Sequence, residues 1–306
     1  MLELENKWRM VVMSFILSCE STADLSQAHF DQREIHYVPF HFSINGKQYL
    51  DDLGQSIPFD QFYAEMANGA KTDTSQVNVE EFVQYFTQFL EAGQDILHVS
   101  LSSGLSGVSN SAMVAKQQLD AKYPDRKIEV VDSLAASSGY GLLMDKLADL
   151  RDAGQSIDEV KAWAEANKLR VHHWFISTNL SYFVRLGRLS KVSGWFGTQF
   201  HIVPLLNMDA TGHLTPRKKQ RGKKMAEKAL VDAMTEHADD GVAYSQKCYI
   251  SQSAFYDDAK DVADMIEAKF TKLDGSVEIN HIGTTIGSHT GPGTIALFFW
   301  GDKRTD

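Results

Sequence analysis

With 306 residues, 43% of them hydrophobic and 23% charged, the chain has the make-up of an ordered globular protein of one or two domains and leaves little room for extended disorder. Its net charge of -10 and pI near 5.5 exclude a general nucleic-acid binder, which needs a broad surplus of Lys and Arg to displace counterions. Two cysteines, Cys19 and Cys248, lie far apart without CxxC spacing, which excludes a disulfide scaffold, suits a reducing compartment and leads us to expect a cytoplasmic location.

The apolar run "MVVMSFILSC" is read as leading into a first strand rather than as a lipoprotein signal, because it is short and "LELENK" before it carries two glutamates. No apolar stretch reaches the 18 residues that a membrane-spanning helix requires. After the first strand, "ESTADLS" has the Ser/Thr/Asp composition of a helix start. "YVPFHFSINGKQYLDD" places Asn45-Gly46 between two alternating runs, which predicts a hairpin inserted at about 37–52. "NVEEFVQYFTQFLEAG" has apolar residues at helical spacing and ends on Gly93, a C-cap residue. "DILHVSLS" is a strand leading into the turn "SSGLSG" and a helix, and "KIEVVDS" followed by "SSGYGLLMDKLADLRDAG" repeats the pattern. Strands alternating with helices predict an α/β domain with a mostly parallel sheet over 14–156. From the helix "SIDEVKAWAEANKLR" onward, hairpin and crossover patterns mix, so 157–306 is expected to be an α+β domain.

Several stretches carry polar groups where a ligand could meet them. "SSGLSG", Ser102 to Gly107, follows a strand and precedes a helix, the place where open α/β sheets bind ligands and where helix N–H groups favour an anion. It is neither a P-loop nor a dinucleotide fingerprint, and as a plain turn it would need only N-capping serines. "KTDTSQV" reads as polar loop between two helical patterns, and Asp132-Ser133 as a helix cap at a strand end. "PRKKQRGKK", Pro216 to Lys224, is a solvated basic face or a dock for a phosphorylated ligand or an acidic partner. His172-His173 are adjacent and would face opposite ways on a strand, and no HExxH or Cys/His spacing exists, so no metal is expected. Trp174, Phe175, Trp195, Phe196, Phe200 and Ile202 make the early second domain rich in large apolar side chains, which serve a core or a lipid-sized cavity. Finally, "GSHTGPG" sets His289 in a glycine-rich loop, as if something must approach its backbone closely.

Taken in order, "STADL", "TSQ" at Thr74 to Gln76, "SSGLSG", "VDS" with "SSGYGLL", "LGRLS" at Leu186 to Ser190 and "GSHTGPG" resemble the DegV family of bacterial fatty-acid-binding proteins. Any one of them is weak; six in the family's order are specific. The resemblance implies a two-domain protein that holds one long-chain fatty acid between its domains, uses no other cofactor and catalyses no reaction itself. It implies that the carboxylate meets Thr74, Ser102 or Ser103, and His289. Arg221 matches an arginine that in relatives supports phosphorylation of the bound acid by a fatty acid kinase. Fatty acid and kinase are then the expected partners, with no nucleic acid and at most transient membrane contact. The chain departs from the family pattern at Val77, where Pro is frequent, and at Gly222 after Arg221.

One rival comes from the residues alone. Ser103 or Ser106, Asp132 and His289 occur in the chain order of an α/β-hydrolase triad, which would make the protein an esterase acting on a lipid-like substrate, although GxSxG is absent.

Overall fold

The computed structural model describes residues 15–189 and 202–305. Short apolar runs give the first sheet its strands: β1 (Ile16–Glu20), β2 (Ile35–Val38), β6 (Ile96–Ser100) and β7 (Ile128–Asp132), ordered β2-β1-β6-β7 and all parallel. β1 and β6 are buried throughout, as central strands covered on both faces must be. Helices α1 (Gln27–Gln32), α3 (Val79–Glu91), α4 (Val108–Lys122) and α5 (Ser137–Asp152) connect or cover them. α3 starts at a capping box in which Asn78 and Glu81 satisfy each other's backbone N–H groups. The chain leaves β1 toward β2 on one side and β6 toward β7 on the other, so the crevice beyond the ends of β1 and β6 is a topological switch point.

The predicted hairpin forms with β3 (His41–Ile44) and β4 (Lys47–Leu50) around Asn45 and Gly46, at φ 52° and 83°. It is part of a larger unit. β5 (Thr72–Ser75) pairs antiparallel with β3, so "TSQ" begins on a strand rather than in the loop expected from its polarity. With α2 (Phe59–Ala67) this small sheet forms its own cluster around Phe42, Phe62, Tyr63 and Met66, joined by the distant Ile282.

α6 (Ile157–Asn167), the helix read as opening the second module, packs against α5 and β7, and the second sheet begins at β8. That sheet comprises β8 (Val171–Ser177), β9 (Ile202–Met208), β10 (Leu214–Arg221), β11 (Tyr249–Gln252), β12 (Glu278–His281) and β13 (Thr294–Trp300), ordered β10-β9-β8-β13-β11-β12. Its pairs are antiparallel except β11 with β12. α7 (Ser181–Arg185), α8 (Lys223–His237), α9 (Tyr256–Lys269) and α10 (Thr284–Thr290) complete it. Trp195, Phe196 and Phe200 lie outside the described residues.

α5 joins the two large sheets. Its first half is wholly buried, and Gly139 lets it press onto the second sheet: a Cβ there would lie 2.4 Å from His173 Nε2 and 2.5 Å from Phe298 Cδ1. One hydrophobic core therefore runs through both sheets, with a cavity left between them.

Candidate functional site

The cavity encloses about 440 Å³, within the range of small-molecule sites, and most of its wall is apolar. Phe40, Leu101 and Leu105 reach it from the first half; Phe175, Phe183, Met208 and Phe298 reach it from the second. Such a wall takes up hydrocarbon and gives a charged group nothing to bond.

Polar groups gather where β5, the start of α4 and the end of α10 converge. Thr74, on β5, has its Oγ1 2.8 Å from Nε2 of His289. Nε of Arg188, just past α7, donates to Nδ1 of the same ring at 3.4 Å. A guanidinium can only donate, so Nδ1 holds a lone pair and the ring proton sits on Nε2, which donates to Thr74. Thr74 thus keeps its own hydroxyl proton for a further acceptor. All three residues line the cavity, as do Gln76 and Ser106. The Ser106 hydroxyl donates to Gln76 Oε1 at 3.0 Å, while Gln76 Nε2 donates to Ser111 at the same distance. Arg185 braces the arrangement by donating to the Thr72 carbonyl and hydroxyl at 3.0 and 2.9 Å.

Electrostatics fix the imidazole's state. Burial, and then the charges of Arg188 and Arg185, push the His289 pKa down to about 4, so the ring is neutral near pH 7. Burial likewise pulls Arg188 below its usual value. The result is a string of donors, Arg188 to His289 to Thr74, ending in a free hydroxyl at the wall of a greasy cavity. It can pair an anionic head group whose tail is hydrocarbon.

Of the four residues implicated from sequence in carboxylate binding, the fold brings Thr74 and His289 together and keeps the two serines elsewhere. Ser102 is buried and donates to the Gly212 carbonyl at 2.9 Å, joining the loop to the β9–β10 turn. That joint is tight: a Cβ on Gly104 would lie 2.6 Å from the Gly212 carbonyl oxygen. Ser103 is exposed, with its N–H donating to Asp132 Oδ1 at 3.1 Å, and neither serine lines the cavity. Ser106 of the same loop does, because the loop turns into α4 only at Val108 and its last serine faces back across Gln76. Arg221 is exposed at the end of β10 and is not part of the cavity wall.

"GSHTGPG" also differs from the loop expected. Its first four residues are the last turns of α10, and its glycines approach protein rather than open space. A Cβ on Gly287 would lie 2.3 Å from the Tyr63 hydroxyl, and one on Gly291 would lie 2.2 Å from the Tyr182 ring. Arg188, within "LGRLS", adds a cation to the donors that the resemblance implies. The signal for it, one arginine between Gly187 and Leu189, is too small to separate from surface charge. Nor is the triad assembled: Asp132 Oδ1 accepts the Ser103 and Leu134 N–H groups, and His289 faces Thr74 and Arg188 instead of a serine.

Comparison with known proteins identifies the family and the fold. Residues 16–302 match the family described as "Uncharacterised protein, DegV family". A DegV domain-containing protein of Clostridium perfringens is 34% identical over 290 residues, covering 95% of this chain and 98% of its own. Among solved structures, a DegV family protein of Thermus thermophilus, described for fatty acid binding, is 26% identical with a TM-score of 0.84 over 94% of this chain and all of its own. The fatty acid kinase B3 protein of Streptococcus pneumoniae, solved loaded with linoleic acid, shares the fold at 24% identity, with a TM-score of 0.81 over 95% of this chain and all of its own.

Proposed function

The chain belongs to the DegV family, and on that premise we propose that it is a carrier that sequesters one long-chain fatty acid in the cavity between its two large sheets and presents the carboxylate to a fatty acid kinase. The observation that carries the reading is the union of an apolar cavity of about 440 Å³ with the Arg188–His289–Thr74 string at its wall. Burying a methylene is worth roughly 0.8 kcal/mol, so about 15 of them offer on the order of 12 kcal/mol before ordering costs. The head group is the harder part, since an unpaired buried carboxylate costs several kcal/mol. Thr74 supplies a free hydroxyl proton and Arg188 a nearby positive charge, and Ser106 can turn its hydroxyl from Gln76 to the ligand. These three with His289 form the carboxylate site we assign, in place of one using Ser102 or Ser103.

The kinase is the finer part of the proposal. It draws on the fold shared with the pneumococcal kinase protein and on the basic end of β10, where Arg221 is exposed. The carrier works in the cytoplasm on this reading; among the described residues no helix is long and apolar enough to cross a membrane. No other cofactor enters it.

Mass spectrometry of the denatured, extracted protein is the test, with about one fatty acid per chain expected. A lipid-free extract from protein that also fails to take up added oleate would overturn the reading. Arg221→Ala should leave that uptake intact and slow acyl-phosphate formation by a fatty acid kinase; equal loss of both would move Arg221 from docking to binding.

A further inference from the structure

Helix α10 carries His289 in its last turn but offers no cap of its own, because the residue at its N-cap position is Gly283. The cap comes from far away in the chain. Asp51, just past β4 and fully buried, accepts the Thr284 hydroxyl at 2.8 Å on Oδ1 and the Thr285 N–H at 3.2 Å on Oδ2. Asp24 stands beside it, accepting the Ser137 hydroxyl on its Oδ2. A Cβ on Gly283 would lie 2.5 Å from Asp24 Oδ1, so only glycine lets the helix start this close to Asp24, while at 3.6 Å Asp51 Oδ1 stands at ordinary contact distance. The Tyr63 hydroxyl donates to the Ile282 carbonyl at 2.6 Å, fixing the residue before the turn.

The other end of α10 is tied to the same small sheet. Asp51 follows β4, and Thr74 on the neighbouring part of the sheet receives the proton of His289. A seven-residue helix is too short to hold itself, so its placement is set by these attachments. Neither Asp51 nor Asp24 lines the cavity, and the Asp51 carboxylate reaches it by way of its bonds to Thr284 and Thr285 in the first turn of the helix.

We propose that Asp51 is the positioning residue for His289: it caps α10 from across the chain and thereby sets the imidazole against Thr74. The proposal rests on the reading of Thr74 and His289 as carboxylate donors, but its first consequence is visible without a ligand. The two carboxylate oxygens have separate partners, a hydroxyl and a backbone N–H. Asn can still accept one of these bonds, while Ala accepts neither.

The experiment compares the full-length protein with Asp51→Ala and Asp51→Asn, using long-range proton–nitrogen NMR of the His289 imidazole in ligand-free protein and fluorescence titration with cis-parinaric acid. Asp51→Ala should erase the Nε2–H signature and move the His289 pKa up from about 4 toward its ordinary value. Its affinity for the fatty acid should fall about tenfold, the scale of a lost helix cap, whereas Asp51→Asn should stay within about threefold of the parent. An unchanged imidazole spectrum and titration in folded Asp51→Ala overturns the proposal. If Asp51→Ala does not fold, Thr284→Val deletes the same hydroxyl bond and is read in the same way: a moved imidazole supports the proposal and an unmoved one overturns it. Should the parent bind no fatty acid while the imidazole still moves, Asp51 keeps its positioning role and the carrier reading alone falls.

Discussion

His289 and Thr74 are 215 positions apart in the chain and 2.8 Å apart in the fold, and the proton between them belongs to the histidine. Arg188 decides this by donating to the opposite ring nitrogen. Thr74 is therefore the terminal donor of the string, and replacing it tests the carboxylate site most directly. Thr74→Val keeps the volume and removes the hydroxyl. A hydrogen bond to a charged group is worth about 1.5 to 3 kcal/mol, so fatty-acid affinity should fall by a factor of about 10 to 100. Thr74→Ser should restore most of it. Titration with a fluorescent fatty acid measures both, and equal affinity for the Val variant and the parent would remove Thr74 from the site.

The pH behaviour of His289 follows from its surroundings. In the folded protein the ring takes up a proton only near pH 4, whereas an unfolded chain takes one up near 6.5. Its contribution to stability is thus present above about pH 6.5 and is lost as the pH falls through about 4. Ligand affinity, as far as this ring governs it, should be flat between about pH 6 and 8. Arg188→Leu removes one of the two charges holding the pKa down, so the NMR midpoint of His289 should rise by about one unit. A midpoint at or above 6.5 in the parent would mean that the ring is charged when it meets the ligand.

The alternation of apolar runs and amphipathic segments made the parallel sheet legible, because each strand must be covered on both faces and each helix on one. The hairpin was legible too, since Asn45-Gly46 is a local signal that needs no partner. What escaped depends on contacts between distant segments. α10 is helical in spite of four of its seven residues, Thr284, Thr285, Ile286 and Thr290, being β-branched, because Asp51 and Tyr63 hold its start from the other half. β5 is a strand because β3 pairs with it, although "TDTS" has no apolar alternation. The same cause explains the serines: spacing alone cannot tell which of Ser102, Ser103 and Ser106 faces inward once the loop packs on Gly212.

Gly139 sets how far the cavity extends toward the second sheet. Its missing side chain leaves room for His173 and Phe298, and both line the cavity. His173 is held at both ring nitrogens, by the Ala136 N–H at 3.2 Å and the Val171 carbonyl at 3.0 Å. A methyl group at 139 therefore has to displace the Phe298 ring into the cavity or lift α5. Gly139→Ala should cost about 1 to 3 kcal/mol, the scale of an overpacked core. It should also shift the co-purifying acids toward shorter chains. Thermal denaturation reads the first effect and mass spectrometry of the extract the second. An unchanged acid profile in a folded variant would show that the limit on chain length lies elsewhere.

A cluster of charges latches the two halves on the side formed by α1, α5 and β12. His29 on α1 reaches Asp145 on α5 at 3.1 Å and Glu278 on β12 at 3.4 Å, while Lys247, just before β11, reaches the other oxygen of Asp145 at 2.5 Å. Burial alone would lower the His29 pKa, but hydrogen bonds to the two acids outweigh it and lift the ring to about 9. Burial alone would raise Asp145; its bonds to His29 and Lys247 outweigh it and bring the carboxyl down to about 2. The raised histidine contributes stability that is complete below about pH 6.5 and lost as the pH climbs through about 9. The lowered carboxyl contributes stability that is complete above about pH 4 and lost as the pH falls through about 2. Stability measured by urea unfolding should therefore drop by about 3 kcal/mol between pH 6.5 and 9.5, since only the histidine of the pair titrates in that window. In His29→Gln that alkaline decline should flatten while the acid arm persists through Lys247. A parent whose stability holds constant up to pH 9.5 would mean that His29 is neutral in the fold and that the latch is carried by Lys247 and Arg33.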